Sequence, residues 1–222
     1  MRTRTLSLPL IAAVTVVFMA LPAFAAPKAK AEPKVGAIRV LFLGHESEHH
    51  NSNKFYPMLA KGLGRDAIYF DYVTSVEEAL GDAAYLNKFD ALLLYANHGR
   101  ITPGQWKNLK GYVEGGGGFV PVHCASWCFG NEPGFDQLVG GRFASHKTGT
   151  FTAKVIDPKH PAMAGVKEFE AWDETYKHKN HNENDRQVLM VREVAEKGDN
   201  ITEPEPWTWV RTQGKGRVFY TA

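Results

Sequence analysis

Three histidines of this chain stand at the ends of apolar runs. Residues 38–43 lead into Gly44-His45, residues 91–95 into Asn97-His98, and residues 119–122 into His123. Imidazole is the commonest metal ligand and the usual acid/base group near neutral pH. If the runs are parallel strands, their loops share one sheet edge and His45, His98 and His123 converge there. The alternative is that each imidazole only hydrogen-bonds a loop carbonyl. A second cluster follows Asp136. Gly140 and Gly141 allow a tight turn, Phe143 can pack, and His146 is left free. A third, Trp172-Asp173-Glu174-Thr175-Tyr176, offers two carboxylates and a phenol beside aromatic surface. That suits a sugar, which has apolar ring faces and polar edges. Strand alternation allows the opposite assignment, with Trp172 and Tyr176 inward and both carboxylates in water.

The remaining candidates read as weaker. His160 lies between Pro158 and Pro161 in a rigid turn, a structural place. His178 and His181 fall in a polar stretch that reads as a solvated loop. His49 and His50 could meet a metal only opportunistically. Cys124 follows a strand and could open a helix, as a nucleophile elbow does. It lacks the flanking glycines that usually relieve such a turn. Cys124 and Cys128 lie close enough to invite a strained disulfide in an oxidising compartment. Their spacing is not that of a haem attachment motif, and no nucleotide signature is present.

The elements that must position these groups are legible as period and punctuation. Strands are predicted at 38–43, 68–73, 91–95, 119–122, 150–156, 188–191, 207–211 and 217–221. Helices are predicted at 53–63, 76–86 and 103–114. Ser75-Val-Glu-Glu78 opens the second with a capping-box pattern. Thr102 and Pro103 suit the N-cap and first position of the third, and Gly115 its left-handed end. The order over 38–123 argues for a doubly wound, mostly parallel α/β sheet of flavodoxin-like, three-layer form. Strands 38–43 and 119–122 are expected to be parallel neighbours, with the three rim histidines on their carboxyl edge. Ligands bind at that edge in open parallel sheets.

Met1 to Ala25 has a basic start, an apolar run and an Ala-Phe-Ala cleavage site, the pattern of a secretory signal peptide. Export to the periplasm or beyond the cell is expected, with no membrane attachment after cleavage. Residues 26–34 are rich in Ala, Pro and Lys and read as a tether, and 35–222 as one domain. A chain of this size buries roughly 70% of its unfolded surface, enough to dispense with disulfide staples. The formal net charge of +2 is carried by Arg2 and Arg4. The rest is near neutral, which gives no footprint for nucleic acid. Residues 214–222 read as a turn running into a strand, so a strand-end loop and at least one helix are expected beyond Ala222.

Four segments in order resemble the ThuA-like family, named for trehalose utilisation. They are the glycine-rich turn and strand ending in His, 115–123; Gly-Gly-x-Phe-x-x-His, 140–146; Asp-Glu-x-Tyr, 173–176; and Gly-Lys-Gly-Arg-Val-Phe-Tyr, 214–220. The resemblance implies a class I glutamine amidotransferase-like fold without the amidotransferase cysteine, from which Cys124 is a departure. It also implies a role in catabolism of trehalose and other glucosides, through oxidised keto-sugar intermediates. Carried over, His123, Glu174 and Tyr176 are the catalytic candidates. Asn97, His98 and Trp172 are the substrate-binding candidates. His45, His123, His146 and Glu174 could hold a divalent metal, Zn²⁺ or Mn²⁺ rather than oxygen-seeking Mg²⁺. The expected partner is a small-molecule sugar. The alternative is a non-catalytic sugar-binding module beside a sugar dehydrogenase.

Overall fold

The computed structural model describes residues 36–195 and 198–222. The proposed signal peptide and tether lie outside the described residues. Among the described residues no helix is long and apolar enough to cross a membrane.

Eleven strands occur among the described residues. The first four are β1 (Ile38–Leu43), β2 (Ile68–Val73), β3 (Ala91–Leu94) and β4 (Gly118–Pro121). Then come β5 (Arg142–Ser145), β6 (Thr148–Val155), β7 (Phe169–Glu174) and β8 (Lys177–Lys179). The last are β9 (Arg186–Arg192), β10 (Glu205–Gln213) and β11 (Gly216–Thr221). Nine of them form one sheet in the order β2-β1-β3-β4-β11-β10-β9-β6-β7, and β5 pairs with β8 in a separate ribbon. From β2 through β11 neighbouring strands are parallel; from β11 to β7 they are antiparallel. The parallel half follows the sequence expectation closely, because its strands are continuous apolar runs. Leu41, Phe42 and Leu43 of β1 are wholly buried, as strands covered on both faces must be.

One topological expectation fails. β1 and β4 are not neighbours, because β3 lies between them, with Leu92 opposite Leu41 on one side and Phe119 on the other. A hydrophobic run specifies that a strand is buried, not which strand it pairs with. The helix expected over 76–86 is also two helices, α2 (Val76–Leu80) and α3 (Ala83–Leu86), preceded by α1 (Ser52–Leu63). Gly81 closes the first, and Asp82 caps the second, its side chain accepting from the N–H of Ala84 at 2.8 Å. The short helix α5 (Pro133–Val139) and the ribbon β5–β8 escaped the sequence reading, and strand β7 entered it only as the alternation around Trp172.

Helix α4 (Pro103–Gly115) carries the expected cap. Thr102 accepts from the N–H of Gln105, and the Gln105 side chain accepts from the N–H of Thr102. Leu109 and Val113 face the core, at helical spacing. The helix ends one residue later than expected, at Gly116, whose φ of 126° suits a residue without Cβ. Gly117 is needed for a different reason: a Cβ there would enter the ring of Tyr112. That ring is buried and tied by its hydroxyl to the carbonyl of Phe89 at 3.1 Å. Gly117→Ala is therefore expected to destabilise the fold by about 1–3 kcal/mol. The check is urea unfolding, with a lower midpoint at unchanged slope.

Candidate functional site

The carboxyl ends of β1, β3 and β4 form one rim, as the sequence reading required. His45 and His98 are there, but both are spent on holding it together. The Nδ1 of buried His45 accepts from the N–H of Asn97 at 3.2 Å, and its Nε2 donates to the carbonyl of His50 at 2.9 Å. Both nitrogens of His45 are committed to the rim, and it stands outside the group of His50, His123 and Glu174. The Nε2 of His98 donates to the carbonyl of Gly44 at 2.9 Å, and burial holds its pKa below the usual value. His98 ties one rim loop to the next and lines neither cavity at the rim.

His123 stands where β4 breaks into a 3₁₀ turn spanning His123–Trp127. Its φ is 50°, a left-handed conformation that a residue with Cβ adopts only when its surroundings impose it. The sharp turn suspected at Cys124 therefore exists, but His123 occupies its apex. Cys124 points inward, 1% exposed, and burial raises its thiol pKa. Burial also pushes Cys128 up to about 12, and its thiol donates to the carbonyl of Ala96 at 2.9 Å. The two cysteines are not bridged. A thiol-specific reagent is expected to leave both unmodified in the native protein and to modify both in denaturant. Fast labelling of the native protein would contradict that burial.

Around His123 three other segments close in. Its ring stacks on Tyr176 with centroids 4.2 Å apart and meets the His50 ring edge-on at 4.8 Å. The Nε2 of His123 lies 3.2 Å from Oε2 of Glu174. His50 Nε2 is 3.9 Å from the same oxygen, and His146 Nε2 is 3.8 Å from Oε1. Oε2 is buried and has no partner in hydrogen-bonding geometry, so the close approach of His123 is not an aligned N–H···O bond. Burial, reinforced by the neighbouring His50, holds His123 well below its usual pKa against the pull of Glu174. Burial also lowers His50. Both rings are thus neutral near pH 7, the form that accepts protons or ligates metal. Burial raises the phenol of Tyr176, which keeps it a donor.

Glu174 and His50 are shared by two cavities of about 660 Å³ and 250 Å³. The smaller also takes in Asn97, Trp127, His146 and Tyr176. Of the residues expected to face one pocket, His123 lines the larger cavity, His146, Tyr176 and Asn97 line the smaller, and Glu174 joins the two. Trp172 does not join them: it is 73% exposed on β7 and lines neither cavity. Conversely, His50 was set aside and belongs at the centre. It sits in the turn ahead of α1 with a φ of 52°, its carbonyl pinned by His45. The only signal for it was its place just after the β1 rim loop.

Could these residues hold a metal? His50, His123 and Glu174 each offer one ligand atom, all within 4.8 Å of one another. Ligands around tetrahedral zinc lie about 3.4 Å apart, so modest side-chain rotation closes the set. Two neutral imidazoles and a carboxylate oxygen lacking a hydrogen bond are chemically apt for Zn²⁺ or Mn²⁺.

His178 corrects another expectation. It is 4% exposed rather than solvated. β8 pairs with β5, placing His178 opposite Phe143, and its ring reaches Glu205 and Tyr220. His181 accepts from Arg186 at 2.9 Å. His160 is structural as read, accepting from the N–H of Ala162 at the head of a 3₁₀ turn.

Residues 39–222 match the family model ThuA, described as trehalose utilisation. The chain belongs to the ThuA family. A ThuA-like protein from Bacteroides uniformis superposes with a TM-score of 0.69 at 18% identity, covering 87% of this chain and 84% of that one. A second, from Parabacteroides merdae, gives 0.69 at 17% identity, over 83% and 78%. A protein described as part of a GMP synthase, from Thermoplasma acidophilum, gives 0.51 at 12% identity, over 85% and 84%. At such identities the likeness is one of fold, and it agrees with a class I glutamine amidotransferase-like architecture. No curated protein matches the sequence. Membership of ThuA gives the chain a carbohydrate-related role.

Proposed function

We propose that this ThuA-family protein is an exported enzyme acting on a sugar or keto-glycoside at the rim built by His50, His123, His146 and Glu174. One observation carries the reading: a largely buried carboxylate with an oxygen lacking a hydrogen bond, faced by three imidazoles within 3.2–3.9 Å. Such a group is costly to leave unpaired in a fold, and it borders an open cavity. Glu174 would take a proton from a substrate hydroxyl or from water. Tyr176, held protonated, would donate to an oxygen that gains charge. His146, the most exposed of the three histidines, would contact the substrate at the mouth. A bound Zn²⁺ or Mn²⁺ would polarise a substrate carbonyl or acidify water; His50, His123 and Oε2 of Glu174 would hold it, leaving Oε1, which faces His146, as the proton acceptor.

The test is metal analysis of the purified protein, followed by a screen of disaccharides and their keto forms for binding and turnover. About one equivalent of metal and turnover of a keto-glycoside, lost on chelation, are the expected results. Sugar binding without turnover would replace the enzyme by an accessory module beside a sugar dehydrogenase. Failure to bind any sugar would overturn the reading.

A further inference from the structure

A buried run of polar side chains reaches the back of His123, away from both cavities. Glu205 accepts from the backbone N–H of His178 at 3.0 Å and faces its Nδ1 at 3.0 Å. The Nε2 of His178 lies 2.9 Å from the hydroxyl of Tyr220. That hydroxyl is 3.0 Å from the carbonyl oxygen of His123 and 3.0 Å from Oγ of Ser126. The Ser126 hydroxyl also donates to the His123 carbonyl, at 3.0 Å. All four side chains are buried, and none lines a cavity at the rim.

We infer that Tyr220, oriented by His178 and Glu205, is a positioning residue that holds His123 in its left-handed conformation and so keeps its imidazole against Glu174. The direction of a carbonyl is fixed by the torsions of its own residue, so a group that holds the His123 carbonyl holds those torsions. Left-handed backbone is costly for any residue with Cβ and persists only where other contacts impose it. With Nδ1–H donated to the Glu205 carboxylate, the His178 ring accepts at Nε2, and the Tyr220 proton lies between that nitrogen and the His123 carbonyl. A buried Glu–His–Tyr run is no more stable than apolar side chains of the same volume. Its value lies in the one carbonyl at which it is aimed. The inference rests on the reading of His123 and Glu174 as the working site.

The experiment is Tyr220→Phe, isosteric and lacking only the hydroxyl, compared with Tyr112→Phe, which loses a buried tyrosine hydroxyl bond remote from the site. Crystal structures of both report φ at residue 123, and Co²⁺ titration followed by visible absorption reports the ligand set. In Tyr220→Phe, φ of His123 is expected to leave the left-handed region and Co²⁺ binding to weaken about 10–100-fold, as when a partner behind a metal ligand is lost. Tyr112→Phe is expected to lower stability but change neither. A left-handed His123 with wild-type Co²⁺ affinity in Tyr220→Phe would overturn the inference. If Tyr220→Phe does not fold, Ser126→Ala withdraws the other hydroxyl from the same carbonyl and is expected to shift φ in the same direction; an unmoved His123 there counts against the inference equally. Wild-type protein that binds no Co²⁺ would sink the metal reading, while the comparison of φ would still decide the role of Tyr220.

Discussion

Glu174→Gln is expected to reduce turnover of a keto-glycoside by about 10²–10⁴-fold, the range for loss of a positioned acid/base group. It is also expected to leave the protein as stable as the wild type, or more stable by up to about 1 kcal/mol. The two effects have one cause. Oε2 of Glu174 is buried without a hydrogen bond while the side chain is 26% exposed, so one carboxylate oxygen is left without a full partner in the folded state. An amide of the same shape removes that charge and the proton-accepting oxygen together. Kinetics and calorimetry on the same preparations check both halves. Wild-type turnover in the variant would remove Glu174 from the chemistry. A large loss of stability would mean that the His123 and Glu174 contact holds the fold rather than serving the site.

The largest effect on stability is expected at Asp199. Arg192 is wholly buried, and its Nη1 donates to Oδ2 of Asp199 at 2.8 Å. Its Nε has no partner, so Asp199 supplies most of its compensation. Asp199→Ala leaves an unpaired guanidinium inside the protein, which costs about 3–5 kcal/mol. Burial pushes the Asp199 carboxyl upward, but bonds from Arg192 and from the N–H groups of Ala195 and Asn200 outweigh it and hold the pKa at about 2. An unfolded aspartate titrates near 3.9. The folded value is the lower one, so this contribution is complete above about pH 4 and is lost as pH falls toward 2. Urea unfolding of wild type and variant at several pH values between 7 and 2 is expected to show their difference shrinking only over that acid window. A difference independent of pH would mean that the loss is one of packing. The pair also reaches the site: Arg192 bonds Asn200, whose side chain donates to the carbonyl of Thr175 at 3.1 Å, between Glu174 and Tyr176.

What the sequence by itself determined is whatever depends on neighbours along the chain. β1 and β2 were placed residue for residue, and β3 and β4 within one or two, because runs of Leu, Ile, Val and Phe between glycines and polar turns permit little else. Their alternation with helices fixed the parallel half and the carboxyl rim. The ordered motifs brought His123, His146, Glu174 and Tyr176 to one site. What only the tertiary structure decided is the fate of polar side chains whose partners are distant in sequence. His178 sits in a stretch of Lys, Asn and His that reads as solvated, yet Glu205 and Tyr220 make its burial tolerable. His45 and His50 stand five residues apart, and the sequence favoured His45. His45 is consumed by the Asn97 N–H and the His50 carbonyl, and that second bond aims His50 at Glu174. Composition and spacing place an imidazole on a rim; whether it is free to act depends on which donors and acceptors the fold brings against it.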